Sequence, residues 1–111
     1  IPGLGVSNTV RGAVTQWAKT LAIELGSYNI TVNNVLPGYT KTSRLDELAK
    51  SKSLDKKISV DKIYNEWANN NSVKRIGQPE EIANAIIFLC EQLSGYITGQ
   101  NIIVDGGKLG I

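Results

Sequence analysis

Apolar residues recur at Val10, Val14, Trp17, Leu21 and Leu25, at spacings of three and four. This period marks one face of an α-helix over about residues 8–25. Gly26 suits a left-handed stop at its end. The pattern then changes. Ile30-Thr31-Val32-Asn33-Asn34-Val35-Leu36 is a β-branched run closed by Pro37-Gly38, which predicts a strand and a turn. Residues 41–62 are polar and lysine-rich, with only short apolar pairs, and predict a loop with one or two short helices. A helix over 60–69 carries Ile63, Trp67 and Ala68. Gly77-Gln78-Pro79-Glu80-Glu81 is a helix start, with proline at the first helical position and acids in the first turn. Ile82, Ala85, Ile86 and Leu89 give that helix, to about Leu93, its expected buried stripe. Gln100-Asn101-Ile102-Ile103-Val104 predicts a last strand, ending at Asp105-Gly106-Gly107.

The order helix, strand, long excursion, helix, strand describes the end of an α/β domain. Two such apolar runs joined through a helix fit parallel strands buried on both faces, with a right-handed crossover. Two strands do not make such a sheet alone, so further strands are expected from residues outside this sequence. The chain has no methionine and starts abruptly at Ile1, which supports reading it as part of a longer protein.

Composition narrows the classes. At 111 residues the chain fits at most one domain. Its 41% apolar and 20% charged content are those of a globular protein rather than a disordered one. No apolar run approaches the roughly 20 residues of a membrane span, and no signal-peptide pattern is present. One cysteine and no histidine argue against a metal site. The lone Cys90, among Ile86 and Leu89, is expected as a small buried hydrophobe and fits a cytoplasmic location. A net charge of +2 is too small to indicate nucleic acid. Residues 41–62 carry seven basic and four acidic side chains, a local excess that suits either an acidic ligand or a solvated helix face.

Four motifs then stand in one order. They are Ala18-Lys19-Thr20-Leu21-Ala22-Ile23-Glu24-Leu25 with Asn29-Ile30-Thr31-Val32-Asn33, then Pro37-Gly38-Tyr39-Thr40-Lys41-Thr42, then Gly77-Gln78-Pro79-Glu80-Glu81-Ile82-Ala83, and last Ile97-Thr98-Gly99-Gln100 through Val104-Asp105-Gly106-Gly107. Together they resemble the short-chain dehydrogenase/reductase family, nearest its 3-oxoacyl-[acyl-carrier-protein] reductase type. The resemblance implies the C-terminal part of a Rossmann-like, doubly wound parallel sheet in three α/β/α layers. Residues 1–111 would form the second half of one NAD(P)-binding domain, with a lid-like excursion at about 41–76. It further implies hydride transfer between NAD or NADP and a carbonyl or alcohol, an acyl-thioester or other small substrate, and a homodimer or homotetramer. The family's glycine-rich phosphate loop belongs to a strand–helix junction upstream of Ile1, so this chain alone is expected to be inactive.

By the same resemblance Pro37, Gly38, the Thr40 backbone and the Thr42 hydroxyl would meet the nicotinamide, with Tyr39 beside them facing substrate. The family's catalytic Tyr-x-x-x-Lys falls on Ser7-x-x-x-Arg11 when counted back from Thr20-Leu21-Ala22. No other register restores it: four residues after Tyr28, Tyr39, Tyr64 and Tyr96 stand Val32, Ser43, Ala68 and Gln100. Tyrosine beside a cation works as a general acid near neutral pH; a serine hydroxyl does not titrate there. Arg11 retains a permanent charge and a forked donor for ribose hydroxyls. Three readings stand: an altered reductase site using Ser7 and Arg11, a family member without catalysis, or a plain helix start with Ser7 or Asn8 as N-cap and Arg11 solvated. Tyr39 either lines the pocket or replaces the missing acid.

Overall fold

The computed structural model describes residues 5–108. Helix α1 runs Gly5–Leu25, strand β1 Asn34–Pro37, helices α2 Ser43–Lys56, α3 Val60–Asn69 and α4 Pro79–Cys90, and strand β2 Asn101–Val104. Short 3₁₀ turns follow α1 and α4, at Gly26–Tyr28 and Gln92–Ser94. β1 and β2 form a two-stranded sheet. The Asn34 amide donates to the Gln100 carbonyl and the Gly38 amide to the Val104 carbonyl, both at 2.9 Å. The register advances in the same direction on both strands, so they are parallel. The chain divides into two compact units: residues up to Val35 with Ile86–Ile102, and Leu36–Ala85 with residues from Ile103 on.

In the first unit α1 begins no later than Gly5, so neither Ser7 nor Asn8 is its N-cap. Both lie inside the helix, where Thr9 Oγ1 donates back to the Gly5 carbonyl at 2.8 Å. Ala18 and Ala22 are the buried residues of α1, while Val10, Val14 and Trp17 are exposed and Leu21 is half-buried. The small side chains allow close packing: a Cβ at Gly99 would sit 3.5 Å from Ala22 Cβ. The helix stop falls on Asn29 (φ 64°), not Gly26, because the last turn tightens to 3₁₀ before the chain reverses. The predicted strand over 30–36 starts only at Asn34, since side chains take the place of ladder bonds before it. The Val32 amide donates to Thr98 Oγ1, and Asn33 bonds Ile97 O and the Gln100 amide.

In the second unit α2 is one 14-residue helix rather than a loop with short pieces. Nothing between Ser43 and Lys56 breaks it, because it holds neither glycine nor proline. Thr42 caps it by accepting from the Leu45 amide, and Lys57 closes it at φ 55°. Leu45 and Ala49, one turn apart, pack on Ile63 and Trp67 of α3 to form the buried cluster. Ser59 caps α3, whose bounds and apolar face match the sequence pattern.

Pro79 opens α4 as expected, but the helix ends at Cys90 and buries none of its residues. Ile82, Ala85 and Leu89 are half-buried, Ile86 is exposed, and Cys90 is exposed rather than enclosed.

Candidate functional site

The loop after β1 is fixed from several directions. The Gly38 amide bonds Val104 O, and a Cβ on Gly38 would lie 2.7 Å from Asp105 Cβ and 2.8 Å from its Cα. Only glycine fits there. Two residues on, Thr40 forms an isolated parallel bridge with Gly77: the Gly77 amide donates to Tyr39 O at 3.0 Å, and the Lys41 amide to Gly77 O at 2.9 Å. In such a bridge the N–H and C=O of the central residue point away from the partner. Among the described residues no backbone group pairs with those of Thr40. The loop therefore presents, at the carboxyl end of β1, a donor and an acceptor that have no partner among the described residues, at the edge where open parallel sheets take ligands.

The side chains complete this surface. Thr40 Oγ1 donates to Gly38 O at 2.9 Å. Thr42 Oγ1 is occupied as an acceptor by the Leu45 amide, which leaves its proton to donate elsewhere. Tyr39 stacks on Trp67 with ring centroids 4.8 Å apart and planes 16° from parallel. Trp67 in turn meets the Tyr64 ring edge-on at 5.4 Å. The glycine, the two threonines and Tyr39 that the motif singled out thus lie in one loop.

A cluster beside this loop escaped the sequence reading. Tyr64 donates to the Asp46 carboxylate, which also pairs with Lys41; the Lys41 ammonium is 3.2 Å from Tyr64 Oη and 4.7 Å above its ring. Hydrogen bonding to Lys41 and then to Tyr64 lowers the Asp46 pKa. The bond to Asp46 raises that of Lys41. Desolvation and the same carboxylate raise that of Tyr64. At neutral pH the cluster holds a carboxylate, an ammonium and an undissociated phenol. It borders an open depression of about 750 Å³ that also includes Lys50 and Asp61. No sequence spacing pairs positions 46 and 64, so only the packing of α2 on α3 reveals it.

Ser7 and Arg11 lie in the first unit, one turn apart on α1 and on one face of it. Ser7 is half-buried and Arg11 exposed. Among the described residues no group of three metal-ligating side chains converges, and no helix is long and apolar enough to cross a membrane.

A glycine-closed loop at the carboxyl end of a parallel strand is a feature of α/β folds, whose open sheets take ligands at that edge. A family model described as enoyl-(acyl carrier protein) reductase matches residues 1–108, and the chain belongs to the short-chain dehydrogenase/reductase family. It is similar to the short-chain reductase protein NovJ of Streptomyces niveus, 42% identical over 90% of this chain and 37% of that protein. It is also similar to the 3-oxoacyl-[acyl-carrier-protein] reductase FabG of Chlamydia trachomatis, 39% identical over 96% of this chain and 38% of the relative. Among solved structures, L-sorbose reductase from Gluconobacter frateurii, complexed with NADPH and L-sorbose, superposes with a TM-score of 0.85. It is 33% identical, over 94% of this chain and 40% of that one. The chain thus spans less than half the length of the curated relatives it matches. Such neighbours share the Rossmann-type α/β fold, of which this chain's parallel strands and flanking helices form part.

Proposed function

We propose that the protein carrying this chain is an NAD(P)-dependent oxidoreductase acting between a carbonyl and an alcohol, with 3-oxoacyl thioesters among its candidate substrates. The observation that carries the reading is the Pro37–Thr42 loop. Its Thr40 backbone groups and the donating Thr42 hydroxyl suit a carboxamide, which offers one acceptor and one donor group. When bound, the dinucleotide supplies or accepts the hydride. Pro37 and Gly38 bring the backbone close, and the Tyr39 ring, backed by Trp67, borders the substrate side. The NADPH complex of L-sorbose reductase and the name of FabG support the cofactor and the reaction class.

The finer reading keeps Ser7 and Arg11 at the positions of the family's tyrosine and lysine. Arg11, exposed on α1, supplies a fixed positive charge and a forked donor for ribose hydroxyls. Ser7 orders substrate or a relay water, without a titrating proton of its own. A site that lacks its general acid loses about 10²–10⁴-fold in rate, so turnover is slow. The same serine favours a second reading, a non-catalytic subunit of the same fold that binds or oligomerises. Residues 41–76 serve as a lid within a single domain, and the protein assembles as a cytoplasmic homo-oligomer.

The test is NADPH and NADH oxidation by the full-length protein with small ketones and 3-oxoacyl thioesters, alongside Ser7→Ala and Arg11→Ala. Turnover that falls in Arg11→Ala supports cofactor anchoring. Rates unchanged from the unsubstituted protein in both variants remove the pair from the mechanism, and cofactor binding without any turnover favours the non-catalytic reading.

A further inference from the structure

On its Gly77 side the loop that carries the proposed site pairs with the short segment 71–78, and that segment is itself tied down. Arg75 grips Glu81 with both arms of its guanidinium, at 2.6 Å to Oε1 and 2.8 Å to Oε2. Glu81 Oε1 also accepts from the Gln78 amide at 3.0 Å, while the Glu81 amide bonds Gln78 O. The Glu81 side chain thus makes one half of a capping box at the helix start, with an arginine added. The clasp encloses Ile76 and Gly77, and Gly77 is the residue that pairs with Tyr39 and Lys41. At the other end of the segment the buried Asn71 side chain bonds Arg75 O at 2.9 Å and the Lys74 amide at 2.8 Å. The Ser72 amide bonds Gly106 O at 2.9 Å, so the segment is anchored beside the Asp105 turn that closes on Gly38.

We infer that Arg75 and Glu81 are positioning residues: their clasp holds Gly77 where it sets the Tyr39–Lys41 backbone, and so the direction of the Thr40 donor and acceptor. The use of that direction for a dinucleotide rests on the function proposed above. An isolated exposed ion pair would carry little weight. This one is bidentate, includes a backbone donor, and spans the residue that forms the bridge, so its loss is felt at the loop.

Glu81→Gln tests it, because the amide oxygen still accepts from Gln78 while the ion pair is gone. Hydrogen exchange is measured on the full-length protein at the Lys41 and Gly77 amides, with Asn34 and Gly99 as controls in the first unit. NADPH affinity is titrated in parallel. The expected result is exchange about tenfold faster at Lys41 and Gly77, unchanged at the controls, with NADPH bound several-fold more weakly. Arg75→Gln should reproduce it. Unchanged exchange at Lys41 and Gly77, or equal acceleration at the controls, overturns the inference. Faster loop exchange with NADPH affinity unaltered overturns the positioning role. If the unsubstituted protein binds no NADPH while the loop amides still respond, the clasp stands and the proposed function falls.

Discussion

Replacing Gly38 with alanine is the sharpest perturbation of the candidate site. The added Cβ would lie 2.7 Å from Asp105 Cβ and 2.8 Å from Asp105 Cα. Carbon atoms in favourable contact sit about 3.5–4.0 Å apart, so one backbone must retreat by roughly 0.7 Å or more. Neither is free to do so. The Gly38 amide is bonded to Val104 O at 2.9 Å, and Asp105 Oδ1 accepts from the Gly107 amide at 2.9 Å. Overpacking of this kind costs about 1–3 kcal/mol. Gly77→Ala is the control: its Cβ would meet nothing nearer than Tyr39 O at 3.5 Å, an ordinary contact. There the change should be neutral or stabilising by up to about 1 kcal/mol, through the unfolded chain. Urea unfolding of the full-length protein measures both. Gly38→Ala should lower the midpoint with the slope unchanged, and Gly77→Ala should not. Equal midpoints for Gly38→Ala and the unsubstituted protein would refute the packing argument.

Three further outcomes follow from named contacts. Trp67→Ala removes the buried ring between Tyr39 and Tyr64 and should destabilise by about 3–5 kcal/mol; a loss within the error of the urea midpoint would contradict its place in the core. Thr42→Ala should cost about 1 kcal/mol through the lost α2 cap, while Thr42→Ser restores most of it; helicity and urea midpoint report both. The Glu81 pKa is lowered from 4.5 to about 2 by Arg75 and then by the Gln78 amide. Its folded-state value is depressed, so its stabilisation is present in full above 4.5 and is lost as pH falls towards about 2. Across that window the unsubstituted protein should lose more stability than Glu81→Gln, and parallel pH profiles would contradict the pairing.

How much of this was legible in the sequence differs by element. Helix α3 was readable to its ends because Ile63 and Trp67 bury one narrow face on a local partner. The start of α4 was equally plain, since Pro79 and the two acids act within one turn. The strand-end loop was legible through Pro37-Gly38, and its reason is the Asp105 approach that no spacing reveals. On α1 periodicity finds the apolar stripe, whereas burial among the described residues falls on Ala18 and Ala22, where small size permits contact. The late start of β1 was hidden because Thr98 and Asn33 replace ladder bonds across 66 or 67 positions. The Lys41–Asp46–Tyr64 cluster and the Asn71 turn were invisible for the same reason. They rest on meetings made through side chains by α2 against α3 and through the backbone by the Ser72 amide against Gly106 O. Local pattern encodes elements and caps, not such meetings.

The most direct measurement of the central claim is calorimetric titration of the full-length protein with NADPH and with NADH, repeated on Arg11→Ala. The account predicts saturable binding of at least one of them, weakened by Arg11→Ala with the urea midpoint unmoved. No binding of either dinucleotide to folded protein would contradict it.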